Sequence, residues 1–232
     1  MKNKATIFIT ILACLPVWTT LLFPAAGSCQ DRIRTTQPRV MIDPGHGGRD
    51  SGLLLPSGLS EKTVTLTLSR LVAEQINKQY KVLLTRQDDR FLDTIARTEA
   101  ANTQQADLFV SIHLKANTSN QATVFHYKPC DNRPIPAVGK DLAWHWQHLP
   151  HEDKSRQLCK TLTQSIASLF PGQEPQIISA PVAMLAGCQM PAVLIEPFAL
   201  KTLPLDESSR IVWIKKYAAA IKTGIESYLN TL

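Results

Sequence analysis

Three short apolar runs, each followed closely by a side chain that can bind a metal or carry a proton, constrain this chain most. They are Val40-Met41-Ile42 leading into Asp43-Pro44-Gly45-His46, Leu108-Phe109-Val110-Ser111-Ile112 leading to His113, and Ala192-Val193-Leu194-Ile195 leading to Glu196. Such runs, bounded by turn-forming residues, read as buried strands. Between them lie stretches whose apolar residues recur on one helical face. Val64, Leu68, Leu71, Val72 and Ile76 follow Ser60, and Ile214, Tyr217, Ile221, Ile225 and Leu229 lie within residues 205–229. Strands alternating with amphipathic helices predict an α/β fold: a single domain with a central twisted sheet, mostly parallel or mixed, flanked by helices on both faces. In such sheets ligands gather at the carboxyl ends of the strands. His46, His113 and Glu196 are therefore expected to meet at one edge.

The remaining segments read as follows. Helices are expected over 60–80, 92–104, 155–170 and 205–229, with Ser60 as an N-cap. Further strands are expected over 81–85, 123–127 as an edge strand, 176–178 and 182–185. Residues 128–153 are irregular and proline-rich, and Trp144 and Trp146 read as exposed aromatics on a loop that controls substrate access. His145, His148 and His151 are spaced by three. Pro150 interrupts that run, so a solvated loop is a plainer reading than a second metal site.

His46 sits in a Gly-rich turn, where the backbone can approach a ligand closely. Glu61 opens the helix that begins where the turn ends. Two imidazoles and a carboxylate on separate elements, His46, Glu61 and His113, form the His₂Glu set of catalytic zinc, which leaves a fourth position for water. Glu196 is the candidate for proton transfer, since partial burial at a strand end tunes a carboxylate for that work. Each residue also has an ordinary structural use. Glu61 suits the positive end of a helix, Glu196 suits a surface ion pair, and Asp43 either accepts a hydrogen bond from an imidazole or braces the turn.

At 232 residues one substantial domain is expected. Residues 1–28 read as a signal peptide, with a basic start at Lys2 and Lys4, an apolar stretch from Ala5 to Phe23, and small residues at Ala26-Gly27-Ser28. A retained membrane anchor is the alternative, although Pro16 and Pro24 interrupt the apolar run. Residues 29–38 read as a linker and 39–232 as the folded domain. Export to the periplasm or cell envelope follows, and Cys29 is positioned either to carry a lipid anchor or to begin a freely soluble chain. The formal charge of +6 falls to +4 without Lys2 and Lys4, which suits an anionic polymer as partner. Nucleic acid is not expected, because no basic stripe is interleaved with aromatics. No Cys-x-x-Cys pair occurs, so cysteine-ligated zinc is disfavoured, while a disulfide among Cys130, Cys159 and Cys188 is left open.

Several segments carry a resemblance. They are Ile42-Asp43-Pro44-Gly45-His46-Gly47-Gly48, Gly58-Leu59-Ser60-Glu61-Lys62, Leu84-Thr85-Arg86, Arg97 with Ala101-Asn102, Ala106 through His113, and Pro191 through Glu196. In this order they resemble the zinc-dependent N-acetylmuramoyl-L-alanine amidases of bacterial cell walls. The resemblance implies one α/β domain, Zn²⁺ as cofactor, and peptidoglycan as substrate, cut at the amide between muramic acid and the L-alanine of the stem peptide. By motif position it implies His46, Glu61 and His113 as zinc ligands and Glu196 as the catalytic glutamate. Two departures touch the substrate groove. Leu114-Lys115-Ala116-Asn117 follows the second histidine where Ala-Asn-Ala is usual, and Pro197-Phe198-Ala199 replaces a Gly-Phe pair. An inactive wall-binding or regulatory homologue and a zinc peptidase acting on stem peptides stay open as alternatives. The sequence names no activator protein.

Overall fold

Period-two alternation sorts the strand residues into two apolar cores. Val40, Ile42, Leu108, Val110, Val193 and Ile195 face one side, while Met41, Phe109, Ala192 and Leu194 face the other. A strand buried on both faces reads as a continuous apolar run, as these do. The computed structural model describes residues 37–76, 78–129 and 143–232. Its strands are β1 (Arg39–Pro44), β2 (Lys81–Leu84), β3 (Leu108–Ile112), β4 (Thr123–Tyr127), β5 (Gln176–Ala180) and β6 (Ala192–Glu196). Its helices are α1 (Glu61–Gln75), α2 (Thr94–Thr103), α3 (Glu152–Leu169), α4 (Ala183–Ala186) and α5 (Glu207–Leu229).

The strands form one mixed sheet in the order β2-β1-β3-β6-β4-β5. Strands β2, β1, β3 and β6 run parallel, β4 pairs antiparallel with β6, and β5 runs parallel to β4. Helices α1, α3 and α5 cover the larger core through residues such as Leu68, Leu158, Leu162, Tyr217 and Ile221. Ala101 of α2 and Leu185 of α4 cover the smaller one. Gly224 on α5 permits close contact with α3, since a Cβ there would sit 2.7 Å from the Leu162 Cα.

Four expectations need correcting. Strand β4 is interior, because Val124 and His126 are buried and β5 supplies the outer edge. Residues 183–186 form a helical turn rather than a strand: Pro181 offers no N–H to extend the β5 ladder, and Leu185 turns inward to the smaller core. Ser60 makes no side-chain cap; its hydroxyl pairs with that of Thr63 at 2.9 Å. Trp146 and His148 are buried, not solvated, whereas Trp144 is exposed as expected, with its indole over Gly187, where a Cβ would meet it at 2.2 Å. Cys159 and Cys188 are free buried thiols. Cys29, the expected signal and most of the linker, and Cys130 with much of the expected access loop lie outside the described residues.

Candidate metal centre

Strands β1, β3 and β6 are parallel neighbours, so their carboxyl ends share one edge of the sheet. His113 immediately follows β3, Glu196 ends β6, and the turn after β1 carries His46. The amino end of the antiparallel β4 arrives at the same edge, with Thr123 in register with Glu196. Helix α1 starts beside this edge, because the Glu61 N–H donates to the Leu53 carbonyl at 2.7 Å and places Glu61 opposite the two histidines.

The three side chains converge. His46 Nε2 lies 3.1 Å from Glu61 Oε1, His113 Nδ1 lies 3.2 Å from the same oxygen, and the two imidazole nitrogens are 3.2 Å apart. Donors at the corners of a tetrahedron around zinc, ~2.0–2.1 Å from the ion, stand roughly 3.3 Å from one another. The spacing and the N, N, O donor set therefore fit zinc. Among the described residues this is the one His/Cys/Asp/Glu group whose ligand atoms cluster in this way. Asp50 Oδ2 lies 2.9 Å from His46 Nδ1, where it accepts that nitrogen's proton in a hydrogen bond and leaves the Nε2 lone pair facing the cluster. Among the described residues His113 Nε2 is buried without a hydrogen-bond partner, so Nδ1 is the nitrogen this ring presents.

Glycines make room for both rings. A Cβ on Gly45 would lie 2.6 Å from His113 Cε1, and one on Gly52 would lie 2.6 Å from His46 Cδ2. His46 itself has φ of 60°, a left-handed conformation rare outside glycine. Two buried arginines hold it there. Arg97 donates to the Pro44 and His46 carbonyls at 2.8 Å each, and Arg86 donates to Pro44 O at 3.0 Å and Gly45 O at 2.7 Å. Asp43 lies beneath the turn and accepts from Arg97 at 2.8 Å, Ser111 at 2.7 Å and Thr85 at 2.5 Å. It braces the turn and touches neither imidazole.

Burial by itself pushes the Glu61 carboxyl up, but hydrogen bonds from His113, His46 and the Leu53 and Leu114 N–H groups outweigh it and hold the group well below the usual carboxylate range. Glu61 is thus an anion at any pH near neutrality, the state a carboxylate needs in order to bind a metal. Glu196 behaves oppositely. Burial dominates and raises its pKa, with Lys115 and His113 opposing and the Glu61 charge adding to the rise. A strand-end carboxylate that senses both His113 and Glu61 and titrates above its ordinary range is suited to exchange protons.

Sequence reasoning named His46, Glu61, His113 and Glu196, and the structure brings all four to one edge. It gave no role to Arg86, Arg97 or Asp50. No local signal marked the two arginines, since one follows a strand and the other sits in a helix, and both positions read as solvent-facing until the turn carbonyls they serve are known.

Residues 40–227 match the family described as N-acetylmuramoyl-L-alanine amidase, Amidase_3. The chain belongs to this family. It is 28% identical over 227 residues to the N-acetylmuramoyl-L-alanine amidase AmiC of Neisseria meningitidis, covering 84% of this chain and 53% of that protein. It is 29% identical over 193 residues to the uncharacterized protein YqiI of Bacillus subtilis, covering 82% and 84% respectively. The chain thus spans about half the length of the Neisseria amidase and most of YqiI. Among solved structures, the N-acetylmuramoyl-L-alanine amidase of Clostridium difficile 630 superposes with a TM-score of 0.67 at 28% identity, covering 84% of this chain and 97% of that one. The Clostridioides difficile CwlD amidase, solved in complex with the GerS lipoprotein, superposes at 0.64 with 26% identity, covering 84% and 100%.

Proposed function

We propose that this chain is a zinc-dependent peptidoglycan hydrolase that cleaves the amide between N-acetylmuramic acid and the L-alanine of the stem peptide. The convergence of His46, Glu61 and His113 within 3.1–3.2 Å of one another, beside the end of the strand that carries Glu196, supports this reading most directly. These three residues would hold zinc, which when bound polarises a carbonyl and brings the pKa of a water toward ~7.

The chain's own groups supply the rest. Asp50 orients His46, and Arg86 and Arg97 hold the turn that presents it. Glu196 takes a proton from the attacking water as the oxygen adds to the lactyl carbonyl carbon. It then returns that proton to the departing nitrogen as the C–N bond breaks. The products are a muramic acid with a free lactyl carboxylate and a peptide with a free L-alanine amine.

This substrate lies outside the cytoplasm, and residues 1–28 act as the export signal in this reading. No described helix is long and apolar enough to cross a membrane. Mass analysis of the mature amino terminus distinguishes a diacylglyceryl group on Cys29 from a free terminus. The activity itself is tested by mass spectrometry of muropeptides after digestion with the purified protein, with added zinc and with a chelator. Zinc-dependent appearance of peptides beginning at free L-alanine is expected. Cleavage only within the stem would make the protein a peptidase, and no cleavage by zinc-loaded protein would favour a wall-binding homologue.

A further inference from the structure

One cleft next to the metal centre carries a charge the mechanism leaves unused. It has a volume of about 550 Å³ and is lined by Lys115, Asn117, Thr123, Phe125, Gln176 and Glu196 among others. Lys115 is the single cation of this lining and Glu196 the single acid. Lys115 is only 9% exposed, and among the described residues its ammonium makes no hydrogen bond; the opposite charge it senses is that of Glu196 in the same cleft. Its backbone is locked in place. The Lys115 N–H donates to Phe198 O at 3.1 Å, the Leu200 N–H donates to Lys115 O at 3.3 Å, and the residue bridges Ala199 in parallel.

The neighbouring polar groups are committed elsewhere. Asn117 Oδ1 accepts from the Ser119 N–H at 3.0 Å, Ser119 Oγ accepts from the Gln121 N–H at 3.2 Å, and Gln121 Nε2 donates to Glu174 O at 2.6 Å. They tie the rim to itself and leave Glu196 as the one opposite charge in the cleft. A largely buried lysine stem that presents its ammonium to an open cleft, with no hydrogen bond of its own, is placed to meet an anion that arrives with a ligand.

We infer that Lys115 is the recognition point for a carboxylate on the peptide half of the substrate. The inference rests on the amidase reading of the same site. The muramic acid carboxyl is consumed in the scissile amide and the sugar is otherwise neutral, so the free carboxylates of this substrate lie in the stem peptide. Lys115 is two residues beyond His113 and shares the cleft with Glu196, which puts the subsite on the substrate next to the bond that is cut.

The test uses two N-acetylmuramoyl dipeptides that differ only in whether the second residue carries a free carboxylate or the corresponding carboxamide. Binding to zinc-loaded full-length protein carrying Glu196→Gln, which removes the proton carrier, is measured by calorimetry. The acid is expected to bind about tenfold more tightly than the amide, as a charge-assisted hydrogen bond provides. Adding Lys115→Met should abolish the preference, and Lys115→Arg should keep it. No preference in the Glu196→Gln protein itself overturns the assignment without recourse to a Lys115 variant. A preference that survives Lys115→Met overturns it as well. Hydrolysis of the two dipeptides by the wild-type protein is scored separately, so a retained binding preference without any cleavage supports the subsite while refuting the amidase reading.

Discussion

Arg97 Nη1 lies 2.8 Å from Asp43 Oδ1 in an ion pair almost sealed from solvent, and its other terminal nitrogen donates to the His46 carbonyl at 2.8 Å. One guanidinium therefore neutralises the acid under the sheet edge and holds the turn that carries His46 above it. Replacing Arg97 by Met removes both contacts and strands a buried carboxylate. Loss of one partner of such a pair costs about 3–5 kcal/mol. Urea unfolding of Arg97→Met should show a stability loss of that order, accompanied by weaker zinc binding. A variant with wild-type stability would show that Asp43 is satisfied by Ser111 and Thr85 alone.

The ligand set and its support should separate in metal content. His46→Ala, Glu61→Gln and His113→Ala are each expected to lose most bound zinc, because two remaining donors form a poor chelate. Asp50→Ala should retain the ligands but weaken affinity by about 10–100-fold, the usual effect of losing an outer hydrogen-bond partner. His126→Ala should leave zinc unchanged, since His126 pairs with Ser179 at 2.8 Å within β4 and β5. Elemental analysis after dialysis against graded chelator reads all five proteins. Full zinc in His113→Ala would refute the ligand assignment.

Glu196→Gln separates proton transfer from metal binding. The change is nearly isosteric, so folding and zinc content should persist while amide hydrolysis falls by at least ~10²–10⁴-fold. Near wild-type turnover in a folded, zinc-loaded Glu196→Gln protein would remove Glu196 from the mechanism.

Buried imidazoles should make stability fall on the acid side. Burial holds His148, packed 4.2 Å from the Tyr127 ring, and His126 below the ordinary imidazole value of 6.5. The unfolded chain takes up these protons near 6.5, whereas the folded protein takes them up only at lower pH. Their contribution is therefore complete above about pH 6.5 and is lost as the pH falls through the depressed folded values. The melting temperature should be level just above that point and decline below it, with a shallower decline in His148→Leu. An unchanged slope in that variant would assign the acid sensitivity to other groups.

Much of the site was legible because its chemistry sits at the ends of strongly patterned strands. The apolar runs before His46, His113 and Glu196 read as buried strands because turn-forming residues bound them, and a parallel sheet puts such ends together. Glu61 was legible through its place at a helix start. Arg86 and Arg97 were not, because a lone arginine in a helix or after a strand reads as solvent-facing until the turn carbonyls it serves are known. The aromatic segment at 144–151 misled for a related reason: proline and polar spacing suggested a solvated loop, while Trp146 and His148 found a surface to pack against.

The sequence by itself determined the period of each element, the two-sided burial of β1, β3 and β6, and the identity of the groups at the sheet edge. Periodicity and side-chain chemistry are local properties and need no partner to be read. Tertiary structure decided that β4 is interior, that residues 183–186 coil instead of extending the sheet, and that Lys115 lies in the same cleft as Glu196. Each of these depends on what packs alongside. Strand β5 supplies the edge that β4 would otherwise be, the smaller core draws Leu185 inward, and the chain after β6 returns to pin Lys115 through Phe198 and Leu200.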